Sequence, residues 1–168
     1  MIARSFQRLP RGLLALVALV ALAAVAGALV SQHAFGMQPC PWCIFQRVLY
    51  LGVAAIALVG WAVPAGRAVV PASAAVLLIA LGGVAAAVFQ HEVASRDASC
   101  ALTMADRFLN ATELEALFPA LFQVTATCLQ AASYRLLGLP FEVWSGALFA
   151  LLALTALLLL WYRRPQRR

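Results

Sequence analysis

The chain has 168 residues, 65% of them hydrophobic and only 11% charged. An average soluble domain is roughly 25% charged, so this composition excludes an ordinary water-soluble fold and points to lipid. The net charge of +6 does not argue for nucleic acid: lysine is absent, and the twelve arginines fall mainly toward the chain ends, where they flank apolar runs and read as topology signals.

In chain order, Arg4, Arg8 and Arg11 precede an uncharged run from Gly12 to Val30. At 1.5 Å per residue, about 19 residues reach roughly 28 Å, enough to cross the hydrocarbon layer. A basic start and Ala24-Val25-Ala26 also suit a cleaved signal peptide. The apolar part exceeds the usual length of about 7–15 residues, however, and further spans follow, so the segment is expected to be retained. A second span is expected over about 44–63, ending near Pro64-Ala65-Gly66-Arg67, a third over about 71–90, opened by Pro71, and a fourth over about 141–162. Arg163, Arg164, Arg167 and Arg168 close the chain.

The expected architecture is an all-α membrane protein. It is a bundle of four transmembrane helices forming one integral membrane domain over 1–168, with loops at about 31–43 and 91–140. Four spans put both termini on one side, together with Arg4, Arg8, Arg11, Arg67 and the terminal arginines, so that side is expected to be cytoplasmic. All six acidic residues (Glu92, Asp97, Asp106, Glu113, Glu115 and Glu142) lie in or beside the long loop on the other side, though acidic residues weigh little in topology. Within that loop Thr112-Glu113-Leu114-Glu115 reads as a capping box. It would open a short amphipathic helix whose apolar face carries Leu114, Leu117, Phe118, Leu121 and Phe122, kinked or broken at Pro119. That face would rest either on the membrane surface or on the bundle.

All four cysteines face outward in this topology, Cys40 and Cys43 after the first span and Cys100 and Cys128 in the long loop. In a bacterium that side is the oxidising periplasm. Cys40-Pro41-Trp42-Cys43 is a Cys-x-x-Cys pair, a spacing shared by redox centres and zinc sites. If the second span is helical from Ile44, Cys43 lies in or just before its first turn, near the positive end of the helix dipole. Arg47, one turn on, brings a fixed charge over the same face. Both effects favour the reactive thiolate.

Three readings of the four cysteines stand. A zinc site would need an unusually wide Cys100-to-Cys128 spacing and suits a reducing compartment better, so no metal is expected. Two structural disulfides would leave the pair beside Arg47 unexplained. A relay would pass electrons from a soluble protein's thiol through two pairs, one mixed disulfide at a time, to a membrane acceptor. The lipid boundary at Cys43 makes a quinone the obvious acceptor, with Arg47 donating to its carbonyl.

Gln38-Pro39-Cys40-Pro41-Trp42-Cys43-Ile44-Phe45-Gln46-Arg47-Val48 closely resembles the signature of the disulfide bond formation protein B (DsbB) family of bacterial inner-membrane oxidases. Four spans, a second cysteine pair in the second outer loop, and Leu137-Gly138-Leu139-Pro140 with Trp144 before the last span also fit, so the resemblance covers nearly the whole chain. It implies that Cys100 and Cys128 form the disulfide attacked by the periplasmic oxidant DsbA, and that Cys40 and Cys43 pass electrons to ubiquinone or menaquinone. By position, Cys100 would take the mixed disulfide, Cys128 would exchange with Cys40, and Cys43 would face the quinone with Arg47. His91 resembles a family histidine placed near the quinone. Two departures bear on the partner end: the loop from His91 to Cys100 is short, and Tyr134 stands where tryptophan is expected. Structural disulfides lie below about −300 mV and DsbA near −120 mV, so reoxidising DsbA implies potentials roughly 180 mV above structural ones, on the order of 8 kcal/mol.

Two alternatives belong to other classes. A vitamin K epoxide reductase-like enzyme also joins thiols to quinone, but there the loop cysteines precede the membrane-boundary pair. A scaffold or transporter subunit with structural disulfides is the non-enzymatic reading, and the near absence of charge within the spans leaves a transport path unsupported.

Overall fold

Proline marks the start of two of the four long helices. The structure is a computed structural model and describes residues 2–63, 67–96 and 100–162, with side chains from residue 10 onward. Helix α1 runs Ile2–Phe35, α2 Pro41–Ala62 and α3 Val69–Glu92. Pro41 is the first residue of α2, and Pro71 lies in the first turn of α3, where a missing N–H removes no helical bond. A 3-10 turn, Ala94–Arg96, leads into four short helices, α4 (Met104–Thr112), α5 (Leu114–Leu117), α6 (Pro119–Phe122) and α7 (Cys128–Ala132). Strands β1 (Arg135–Leu136) and β2 (Leu139–Pro140) then lead directly into α8, Phe141–Tyr162.

Among the described residues four helices, Pro10–Phe35 of α1, α2, α3 extended to Arg96, and α8, are long and apolar enough to cross a membrane. Helix α3 packs most extensively on α8, and α2 lies against both α1 and α3. Leu14, Val17 and Ala21 of α1, Val53 and Ala57 of α2, Val76 and Ala80 of α3, and Phe149, Leu152 and Ala156 of α8 form the buried core. Leu16, Leu19, Val59, Trp61, Leu78, Leu81, Leu151, Leu154 and Leu158 point outward. So many large apolar side chains on an outer surface would be a liability in water, and they form the contact surface that a bilayer requires.

Small residues allow the close approaches. A β-carbon at Gly83 would overlap the Phe149 ring, whereas one at Gly82 would meet nothing within 4 Å. Phe149 in turn stacks on Tyr50 at 3.9 Å and 10°. The Tyr50 hydroxyl donates to the Ser145 carbonyl at 2.9 Å, tying α2 to α8.

Long helices stand where the four spans are expected: α1 and α3 extend beyond those bounds at both ends, α2 starts earlier at Pro41 and ends at Ala62, and α8 runs Phe141–Tyr162. Three features of the long loop go against or beyond the expectation. Thr112 does not open a helix: it ends α4, and its hydroxyl donates back to the Phe108 carbonyl at 2.8 Å. Glu113, at φ +51°, turns the chain through the left-handed region, and Glu115 accepts from the Val124 N–H instead of capping. Second, the apolar face is divided. Pro119 breaks the helix at Phe118, as its ring requires, leaving two single turns. Leu114, Leu121 and Phe122 pack on Ile44, Val48 and Leu109, while Leu117 and Phe118 stay exposed. Third, a short antiparallel hairpin interrupts the helices, turning at Leu137 (φ +51°) and Gly138 (φ +84°), with the Trp144 indole N–H donating to the Leu136 carbonyl at 2.9 Å. Pro64-Ala65-Gly66 and the terminal arginines, both used in placing the spans, lie outside the described residues, as does Asp97.

The contrast between neighbouring glycines is measurable. Gly83→Ala should lower the thermal unfolding midpoint in detergent, with an overpacking cost of about 1–3 kcal/mol. Gly82→Ala should be neutral or stabilise by up to about 1 kcal/mol. Equal shifts in the two variants would contradict the packing described.

Candidate functional site

The first turn of α2 is built around its two sulfurs. Cys40 takes an extended backbone (φ −89°, ψ 170°) and caps the helix, its Sγ accepting the Cys43 N–H at 3.4 Å. That cap turns both side chains to one side, and their Sγ atoms lie 2.9 Å apart. A disulfide can close across that gap with little movement of the backbone. Gln90 of α3 donates its side-chain N–H to Cys43 Sγ at 3.3 Å and to Cys40 Sγ at 3.6 Å. Its own carbonyl accepts from Gln46 at 2.7 Å, so the amide is held in one orientation. The hydrogen bond with Cys43, and then burial, push the Cys40 thiol well above its ordinary value. A thiol that keeps its proton is a poor nucleophile.

Arg47 lies one turn beyond Cys43, as the helical period requires. Only 5% exposed, it donates to Gln32 Oε1 at 2.7 Å and to the Leu121 carbonyl at 2.9 Å, with Ala28 O at 3.5 Å. Its head group is therefore held inside the protein by α1 and the α6 turn, unlike an anchoring arginine that reaches to water. Cys43, Gln46, Arg47 and Tyr50 of α2 line a cavity of about 230 Å³, together with Ala24, Ala28 and Ser31 of α1, Gln90 of α3, and Glu142, Ser145 and Leu148 of α8. Its walls are mostly apolar, with a few polar groups supplied by separate helices.

The second cysteine pair lies against the first. Cys100 and Cys128 form a disulfide and share one buried apolar cluster with Cys40, Trp42, Ala86, Ala94, Ala105 and Ala131, on which Cys43 also packs. The connection is specific: the Thr125 and Ala126 N–H groups both donate to the Pro39 carbonyl at 3.1 Å, fixing the approach to Cys128 beside the approach to Cys40. Cys128 opens α7 behind a true capping box, in which Thr127 Oγ1 accepts the Gln130 N–H and Gln130 Oε1 accepts the Thr127 N–H. On the other side Cys100 (φ +54°) and Leu102 (φ +62°) both take left-handed backbone, an arrangement costing about 1–2 kcal/mol per non-glycine residue. The zinc reading would bring four thiolates to one ion, whereas here Cys100 is paired with Cys128.

The six residues singled out in the sequence meet different fates. Cys40, Cys43, Cys100 and Cys128 come together, and Arg47 joins Cys43 on the cavity wall. His91 does not line the cavity; its ring is half exposed and its Nδ1 lies in hydrogen-bond contact with Glu142 Oε1 at 3.1 Å. Glu142 does line it, and its Oε2 is buried with no hydrogen-bond partner. Gln46, Gln90, Gln32 and Glu142 were missed by sequence reasoning. The available signal was polarity within or at the edge of an apolar span, a default marker of a functional position.

The DsbB family model, described as disulfide bond formation protein DsbB, matches residues 10–159. Disulfide bond formation protein B 1 of Pseudomonas savastanoi pv. phaseolicola is 34% identical over 151 residues, covering 88% of each chain. Disulfide bond formation protein B of Pseudomonas syringae pv. tomato is 35% identical over 144 residues, covering 84% of this chain and 83% of its own. That of a Polaromonas species is 31% identical over 170 aligned positions, covering 99% of this chain and all of its own. With two cysteine pairs converging at one end of a four-helix membrane bundle, the chain belongs to the DsbB family of membrane oxidoreductases of disulfide bond formation.

Proposed function

We propose that this chain is a protein-thiol:quinone oxidoreductase that reoxidises a DsbA-like periplasmic dithiol protein. It would lie as a single integral domain in a bacterial inner membrane, with both termini cytoplasmic and the cysteine end periplasmic. One observation carries the reading: two cysteine pairs share one buried cluster, and the inner pair opens on a cavity that also holds Arg47. The orientation is supported by Arg11, whose Nη2 donates to the Trp61 carbonyl at 2.7 Å, so this arginine lies at the same end of the bundle as the end of α2. The residues present fit a quinone head group. The cavity offers apolar walls for a ring, amides at Gln46 and Gln90, a guanidinium at Arg47, and an orphaned carboxyl oxygen at Glu142.

A bound quinone would supply a two-electron, two-proton acceptor. The remaining chemistry belongs to the chain. The partner's thiolate attacks Cys100, and Cys128 leaves as thiolate. Cys128 then attacks Cys40 of an oxidised inner pair, and Cys43 is the leaving sulfur. Gln90, donating to Cys43 Sγ, hydrogen-bonds that leaving sulfur, and Arg47 lends positive charge on the same cavity wall. Cys100 and Cys128 are almost wholly buried, so attack on Cys100 requires the segment around it to open. The left-handed backbone at Cys100 and Leu102 makes the closed form less stable than its contacts alone would suggest.

The division of labour is testable by single-turnover kinetics. Cys100→Ser should abolish oxidation of the protein partner yet leave the Cys40–Cys43 end able to react with quinone. Cys43→Ser should stop quinone reduction even when the outer pair starts oxidised, and quinone reduction at the normal rate in that variant would refute the assigned order.

Arg47 offers a second test. Lysine keeps the charge but lacks the planar fork that serves Gln32 and Leu121 while facing the cavity. Losing one or two charge-assisted bonds, each about 1.5–3 kcal/mol, predicts roughly a tenfold or greater fall in kcat/KM for Arg47→Lys, expressed mainly as a raised KM for quinone. Arg47→Ala should be worse. Unchanged steady-state kinetics in Arg47→Lys, with only a mild loss in Arg47→Ala, would remove Arg47 from the site.

A further inference from the structure

Two titratable groups span the distance between the aqueous surface and the cavity. The His91 side chain, at the end of α3, is 47% exposed, while that of Glu142, in the first turn of α8, is 2% exposed. His91 Nδ1 and Glu142 Oε1 share a hydrogen bond of 3.1 Å, which leaves Oε2 buried, unpartnered and on a residue that lines the cavity. A buried carboxyl oxygen without a partner is costly, and on a residue of the cavity wall it is free to bond what the cavity holds. The other charged or titratable groups facing this cavity are Cys43, Arg47 and Tyr50 from α2 and Tyr134 from the segment after α7. Among the described residues only Glu142 combines a place in the cavity with a hydrogen bond to a solvent-exposed, proton-exchanging side chain.

We infer that Glu142 is a catalytic proton donor to the bound quinone and that His91 is the positioning and proton-supplying residue behind it. The inference rests on the thiol–quinone reading above. Closing the Cys40–Cys43 disulfide releases two electrons and two protons. Both electrons end on the quinone, which also needs two protons to become the quinol. Glu142 supplies one of these at Oε2: its O–H bond breaks as the quinol O–H bond forms. His91 then gives its Nδ1 proton to Oε1 and takes a replacement at Nε2 from outer water, ending as the other neutral tautomer. The second proton of the quinol is one of the two thiol protons and the other leaves to solvent, so that with the proton His91 takes from outer water the exchange balances. Rotation of the carboxyl group and return of the His91 tautomer reset the pair.

The experiment uses the purified full-length protein in lipid nanodiscs with a short-chain ubiquinone, after reduction by dithiothreitol and its removal. In stopped flow, Glu142→Gln should slow quinol formation by about tenfold or more, the lower end of what a positioned general acid contributes. His91→Ala should slow it as well and should recover when imidazole is added to the buffer, a response that a purely structural histidine would not give. A readout independent of turnover is the infrared difference spectrum on binding the same ubiquinone to oxidised protein. A carboxyl stretch should shift in the wild type, and that signal should be missing in Glu142→Gln. Wild-type rates in Glu142→Gln, no rescue of His91→Ala by imidazole, or a carboxyl signal that survives in Glu142→Gln would each overturn the assignment. Failure of the wild-type protein to form any quinol would instead defeat the oxidoreductase reading and this inference with it.

Discussion

Everything at the cysteine end depends on how α2 begins. Cys40 belongs to the proposed redox pair and is also the cap of the helix, and Pro41 as its first residue fixes where that helix starts. This places Cys43 in the first turn and Arg47 one turn later. The Pro39 carbonyl, just ahead of the cap, receives two N–H groups from the segment that leads to Cys128. A shift in the start of α2 would therefore move the inner pair, the arginine and the outer pair together. The site is a property of one helix terminus and the chain folded over it.

The membrane frame makes such a site possible and also constrains it. In a bundle whose outer faces are leucine, valine and alanine, polar side chains inside have no water to turn to. They must find one another, and here they do so across helices: Gln46 with Gln90, Gln90 with the cysteine sulfurs, and Arg47 with Gln32 and a carbonyl of α6. Among the described residues Trp42 Nε1, Ser73 Oγ and Glu142 Oε2 find no such partner, and of these three residues Glu142 alone lines the cavity. Packing supports this network from below, where Tyr50 stacks on Phe149 and reaches Ser145, and Gly83 lets that ring approach.

Much of this could be read from the residues because its causes are local. Apolar runs of membrane length gave the four long helices, and the 3.6-residue period put Arg47 on the face of Cys43. The partners of these residues could not be read the same way. Gln90 lies 47 positions from Cys43, and His91 lies 51 from Glu142, so helix packing alone unites them. Two local misreadings have identifiable reasons. Thr112 through Glu115 has the letters of a capping box, but Glu113 in a left-handed turn ends one helix before the next begins. Thr127 and Gln130 carry the same pattern and do form the box, beside Cys128. The Leu137-Gly138 turn is likewise a local hairpin signal, set between spans that drew attention elsewhere.

The central claim is that the two cysteine pairs act as one relay through contact of Cys128 with Cys40. It is tested most directly by removing the other member of each pair. In the Cys43→Ser, Cys100→Ser double variant, purified under mild oxidation and digested for mass spectrometry, the two remaining cysteines should be joined in a single intramolecular disulfide. Recovery of Cys40 and Cys128 as free thiols, or joined only between different molecules, would contradict the account.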